Sequence, residues 1–406
     1  MRGRAKATHG NSANSKLTRR VGSEERVSYA LLKNDQTARK VSVLRELLRT
    51  LALFCFVIYL GCDRIAPMAE YDLLSVVETD APPAETSLLE DRIASVLASG
   101  LIDRRLSTSQ NAAWQIMHGV ICYGHELQVE TPDRGLVSAV DYAFHEGVIR
   151  GWQIMPGQTL PGGRRGVKAV LEPGSYTGQG HVDQWIAICA MAELPATDEV
   201  IVEGQRFTLL DWAEQARLDA CTNPLNEFSW TLIALTHYFP DDDQWIAADG
   251  STWSWERMVA EEVLYDLNLS PCGGAHRLVG LARALQAKQR LKLPDSQVWD
   301  DARRIVERSV REIEEMRSGD GNLSSHYLER AGSSRDLGMT LASAGHLLEF
   351  LAVALDDSEL QQPWVETAAA RLCEIFEATK TVDLDCGACY HALNGLRVYR
   401  NRRFGR

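Results

Sequence analysis

After residue 85 this sequence has no run of Pro, Ser and Gly that reads as a linker, and proline is scarce, 13 in 406 residues. That argues against a string of small domains, although the length alone would suggest two or three. Cysteine is present but not in the even, spaced pattern of a disulfide framework. Of the nine, Cys55 and Cys62 sit in an N-terminal apolar segment. The odd seven that remain lie mostly in apolar helical stretches, where a thiol ordinarily serves as a small buried group. Their scatter also excludes a zinc-finger type of site. Clustered positive charge is missing from the body of the chain. The net charge is −12, yet residues 1–50 carry +8, which leaves −20 for the rest. So acidic a body excludes nucleic acid as a partner, because phosphate contacts need grouped Lys and Arg. Long hydrophobic runs are absent too, save one: Leu51–Gly61 has eleven residues, short of the about 20 needed to span a bilayer.

That run follows Arg45 and Arg49 and ends in Tyr59-Leu60-Gly61-Cys62. Its length fits the apolar part of a secretory signal. Its end resembles a bacterial lipobox, with Tyr where Leu is usual and Cys62 as the residue to be lipidated. The chain then divides into a basic, disordered N-terminus (1–43), a signal or anchor segment (44–62), an acidic tether (63–85) and a globular domain (86–406). This predicts a membrane-anchored protein of the cell envelope or periplasm. An uncleaved N-terminal anchor and a cytosolic chain with an apolar arm are the other readings.

What the sequence does have is a repeat. Six times a long amphipathic stretch is followed by a second stretch that opens on small residues, and an internal period of this kind is strong architectural information. The pairs are Leu88–Leu97 with Ser109–Tyr123, Val137–His145 with Gly180–Glu193, Phe207–Cys221 with Glu227–Tyr238, Trp253–Leu267 with Gly273–Leu291, Ser296–Met316 with Asp336–Leu355, and Pro363–Thr379 with Cys386–Tyr399. First members carry one apolar stripe, as in Val298, Ala302, Ile305, Val306, Val310, Ile313 and Met316, and so predict outer helices. Second members such as Ser343–Leu355 are apolar all round and predict inner ones. Thr208 and Asp211 read as an N-cap region. The fold class expected is all-α, an α/α toroid of about six helix pairs around a central cavity. A small β-hairpin is expected in the long insertion 146–179, from the alternation in Gly147–Ile154 and the Val167–Leu171 run. This loop and 318–335 both lead into inner helices, so both are expected over one mouth.

Polar residues on inner helices must face a cavity or find partners. Asp183, Glu227, Asp385, His181 and His391 are the candidate catalytic groups, since paired carboxylates suit glycoside chemistry. Trp114, His118, Gln184, His276, Asp336 and His346 are the candidate ligand-binding groups. Against this stands a plainer role for each: a histidine capping a neighbouring carbonyl, a tryptophan (Trp114, Trp152, Trp185, Trp230) filling core, a small residue easing close packing. Cys386 and Cys389 have CxxC spacing at a helix start, where a thiol pKa would fall, but no βαβ context surrounds them. Zinc needs three or four ligands. Asp385, Cys386 and His391 with His346, or with the Cys272/His276 pair, would supply them, but there is no second CxxC. No metal ligands are assigned, and the cofactor is left unknown.

The helix pairs, the Gly-His and Cys-Gly starts and the buried second members resemble the α/α-toroid class of terpenoid cyclases and protein prenyltransferases, over roughly residues 86–400. Asp383-Leu384-Asp385-Cys386 resembles the acidic DxDD of squalene-type cyclases, with Cys in the last place; the Gln-Trp repeats of those enzymes are missing. It also resembles the Asp-x-Cys zinc ligands of prenyltransferase β-subunits, with Asp385 and Cys386 adjacent rather than spaced. Gly273-Gly274-Ala275-His276 is faintly similar to a motif of lanthionine-synthetase cyclases, without their Cys-His pair. The pattern is similar, too, to envelope proteins of bacteria. The resemblance implies a toroid with a ligand-binding cavity for a small molecule, glycan or peptide. The alternatives are an enzyme of the same fold, a carbohydrate hydrolase or lyase or a prenyltransferase- or cyclase-like protein, and an interaction scaffold.

Overall fold

The structure, a computed structural model, describes residues 86–223 and 227–405. The basic N-terminus, the apolar segment with Cys62 and the tether lie outside the described residues. Helix dominates, with twelve α-helices among the described residues and only short strands.

The twelve helices fall on the stretches read from the sequence, taken two by two in chain order. These are α1 (Thr86–Asp103) with α2 (Ala113–Tyr123), α3 (Ala139–Phe144) with α4 (Gln184–Met191), α5 (Leu209–Asp219) with α6 (Ser229–Tyr238), α7 (Trp255–Glu262) with α8 (Ala275–Leu291), α9 (Gln297–Glu315) with α10 (Leu337–Ala354), and α11 (Pro363–Ala378) with α12 (Cys386–Phe404). Amphipathicity decides which member goes inside. On α9 the buried residues are Trp299, Ala302, Val306, Ser309 and Ile313, one face at helical spacing. On α10 every residue from Ser343 to Val353 is buried. That helix is long and apolar enough to cross a membrane, but the protein itself covers most of it. The even helices touch in succession, α2 on α4, α4 on α6, α6 on α8, α8 on α10, α10 on α12, and α12 returns to α2. The odd helices lie against them, for example α5 on α4 and α6, and α7 and α9 on α8. A close approach in the circuit rests on glycine. A Cβ at Gly345 of α10 would lie 2.5 Å from the Ala392 Cβ and 2.7 Å from its Cα on α12.

The strands refine the sequence reading. The hairpin expected in 146–179 forms from β4 (Ile154–Thr159) and β5 (Arg165–Ala169), antiparallel. Its first strand therefore begins where the alternating stretch Gly147–Ile154 ends. Three further antiparallel hairpins appear that the helical pattern hid: β2–β3 (Gln128–Thr131, Gly135–Ser138), with the two-residue strand β1 (Leu106–Ser107) parallel to β2, then β6–β7 (Glu199–Val202, Gln205–Thr208) and β8–β9 (Gln244–Ile246, Thr252–Ser254). Each ends on a helix cap. Ser138 accepts from the Asp141 amide, Thr208 from Asp211, and Ser254 from Arg257, so the last strand residue also starts α3, α5 or α7. Thr208 and Asp211 form the reciprocal capping box.

Candidate functional site

The starts of the even helices surround one cavity of about 480 Å³, within the common range for small-ligand pockets. Five of the chain's ten histidines line it: His118, His181, His276, His346 and His391. Both long loops reach its mouth, the first through Pro173, Gly174 and Tyr176, the second through Tyr327. Trp114 stands edge-on to Tyr176, 5.1 Å between ring centres, and so gives the mouth an aromatic wall.

The helix geometry sets the histidine tautomers. His118 Nδ1 lies 2.6 Å from the Trp114 carbonyl and His346 Nδ1 2.7 Å from the Ala342 carbonyl, each one turn back along its helix. A carbonyl can only accept, so Nδ1 carries the proton in both rings and Nε2 keeps its lone pair. His391 Nδ1 is held by Glu349 Oε2 at 2.9 Å, and the other oxygen of that carboxyl accepts from Asn394 at 2.6 Å. His181 Nδ1 is held by Glu227 at 2.9 Å. His276 is different: neither ring nitrogen has a hydrogen-bond partner, and the residue is 8% exposed. Nε2 of His346 and of His391 are likewise buried without a partner. The rings crowd together, with centres 4.1 Å apart for His346–His391, 5.1 Å for His276–His346 and 5.1 Å for His276–His391. Burial keeps them neutral: His118 is pushed down to about 4, and His346, His276 and His391 also fall, the last two well below the usual histidine range with the neighbouring imidazoles adding to the effect. Burial pushes Glu349 up, opposed by His346 and by the Asn394 amide.

Cys272 enters beside His276. It sits at φ 52°, followed by Gly273 at 59° and Gly274 at 77°, three successive residues in the left-handed region. Such a turn is costly for cysteine and is held by its surroundings. Gly273 is needed twice over, since a Cβ there would also meet the Tyr327 Cβ at 2.3 Å. The turn brings Cys272 into the cavity wall beside Tyr327, where burial pushes its thiol up to about 11. One donor atom from each of Cys272, His276 and His346 falls within 4.8 Å of the other two.

Nine of the eleven candidate site residues in the helical body line this cavity: Trp114, His118, His181, Gln184, Glu227, His276, His346, Asp385 and His391. Two do not. Asp183 turns away at φ 58° and accepts from the Thr231 hydroxyl at 2.7 Å, its pKa raised to about 6 by burial. Asp336 is exposed and caps α10 through the Gly338 and Met339 amides. Asp385 combines two positions, capping α12 through the Ala388 amide and facing the cavity. Gln184 also serves structure, its Oε1 accepting from the Gly180 amide at 2.9 Å. Cys386 and Cys389 lie off the cavity and are pushed up to about 12 by burial, the reverse of the lowering expected at a helix start. All seven described cysteines are free. Of the tryptophans, Trp185 and Trp230 are fully buried and Trp152 packs among Phe144, Trp185 and Trp212, so only Trp114 offers a face to a ligand. Tyr176 and Tyr327 carried no sequence signal beyond their place in the two long loops. A larger groove of about 860 Å³ lies beside α7 and α9, but its wall is of outer-helix charges such as Asp301, Arg304 and Arg308, with no histidine among them. Cys62 lies outside the described residues.

Comparison with protein-family models, with curated proteins and with solved structures finds no match for this chain.

Proposed function

We propose that this chain is an α/α toroid of six helix pairs, anchored at the cell envelope through residues 44–62, that binds a small glycan or peptide ligand in its central cavity. The unbroken succession of contacts through the even helices and back from α12 to α2 supports the toroid. The convergence of five histidines, Gln184, Glu227 and Asp385 beneath the Trp114–Tyr176 wall carries the binding reading. Buried polar groups drawn from six helix starts into one space have a use there that packing alone does not supply. An enzymatic reading is favoured by one observation, the His181–Glu227 pair at 2.9 Å, in which a carboxylate orients an imidazole at the cavity wall. Arrays of oligosaccharides and short peptides, followed by titration calorimetry on the full chain, test the binding reading. Trp114→Ala and His181→Ala are expected to abolish binding of whichever class is retained, with folding stability within about 1–2 kcal/mol of the parent. Unchanged binding in both variants would sink the proposal. A much larger stability loss in His181→Ala would mark that histidine as a packing residue.

A further inference from the structure

Three buried imidazoles crowd together here, and four of their six ring nitrogens have no hydrogen-bond partner. His276 has neither nitrogen satisfied, and His346 and His391 each leave Nε2 bare while Nδ1 is tied down. Unpaired buried acceptors are rare and call for an explanation. Neutral imidazole nitrogens beside a cysteine sulfur form a donor set of zinc type; magnesium and calcium prefer oxygen. The spacing agrees as well. With zinc–nitrogen bonds of about 2.0–2.1 Å, two imidazoles on a tetrahedral ion have ring centres roughly 5 Å apart, and His276 and His346 are 5.1 Å apart. The supporting contacts are also those of a metal site, where ligating histidines donate their second N–H to a carbonyl or carboxylate. Ala342 does this for His346.

We infer that the cavity holds one zinc-type divalent cation, ligated by Cys272 Sγ and His276 at the start of α8 and by His346 in the middle of α10. Three protein ligands leave a fourth position open to the cavity, the arrangement of a reactive rather than a structural zinc. His391, oriented by Glu349, stands beside that position to hydrogen-bond a water or ligand group bound there. The site is detectable with the metal alone, so its failure and the failure of the glycan or peptide reading are separate results. The test is cobalt and zinc titration of the full chain, purified in detergent and stripped with chelator. One Co²⁺ per chain is expected, with the intense visible bands of tetrahedral cobalt and a near-ultraviolet thiolate-to-cobalt charge-transfer band, and equimolar Zn²⁺ should abolish both. Cys272→Ser should remove the charge-transfer band. His276→Gln and His346→Gln should weaken binding by more than about 100-fold, beyond the about 10–100-fold that a supporting residue costs. Cys386→Ser should leave every signal unchanged. The near-isosteric Ser and Gln variants keep the test decisive where alanine would unfold the protein. Absence of stoichiometric binding, or a charge-transfer band that survives Cys272→Ser, would overturn the site.

Discussion

Individual side chains in this protein are governed by what burial does to charge. Glu262 shows it away from the cavity. It is 2% exposed, accepts from the Phe228 amide at 2.6 Å and pairs with Arg277 at 2.7 Å. Burial nevertheless outweighs Arg277 and pushes its pKa up to about 7. A carboxyl whose folded pKa lies above its unfolded value of about 4.5 binds its proton more tightly in the folded state. Its contribution to stability is therefore fully present below about pH 4.5 and is lost as pH rises through 7. The loss is of order 3 kcal/mol, from about 1.4 kcal/mol per pKa unit. Glu262→Gln removes this dependence. Denaturation of both proteins between pH 4.5 and 8 should show the variant gaining on the parent as pH rises; a difference independent of pH would refute the assignment. The same physics keeps His276, His346 and His391 neutral, and so leaves their lone pairs free at neutral pH.

Among the elements, the tightest demand falls on the α10–α12 contact. The Cβ absent from Gly345 would lie 2.5 Å from one atom of Ala392 and 2.9 Å from its backbone nitrogen, so neither helix can yield by a side-chain rotation. Overpacking of this kind costs about 1–3 kcal/mol. Gly345→Ala is expected to lose that much in chemical denaturation, and Gly345→Val more. Gly319, with nothing within 4 Å of its would-be Cβ, is the control; its change to Ala should fall within about 0.5 kcal/mol of the parent. Equal effects at the two glycines would mean that the helices can separate without penalty. The hairpins are the second device at this scale. By ending on Ser138, Thr208 and Ser254 they deliver the chain to α3, α5 and α7 already capped, which fixes where each of those helices begins.

At the scale of the whole molecule, the acidic body and the basic, apolar N-terminal region are read as a chain held at a membrane with its body outside the cytosol. Fractionation of cells expressing the full chain should place it in the membrane fraction. Cys62→Ala should release it if the anchor is a lipid on that cysteine and leave it bound if the anchor is an uncleaved helix. Recovery of the full-length parent as soluble cytosolic protein would end the envelope reading.

The helical stretches were legible in the sequence because burial imposes a period. A helix with one solvated face shows a stripe, as in α9, and a helix covered on all sides shows none, as in α10. The polar residues that survive on such covered helices stand out against an apolar background, which is why most of the polar side chains lining the cavity could be named from the sequence. Three of the four hairpins were hidden, since their strands of three or four residues carry too few alternations to compete with a helical pattern. Which polar residue faces inward was beyond the sequence as well. Asp183 lies two residues from His181, yet a single left-handed φ sends it to Thr231 instead of the cavity. The tertiary structure also brought Cys272, His276 and His346 to one point and left Cys386 and Cys389 aside, although CxxC was the more visible motif. Spacing along a chain records local geometry alone. Whether donors separated by some seventy residues share a space depends on how two helices pack, and only the folded arrangement determines that.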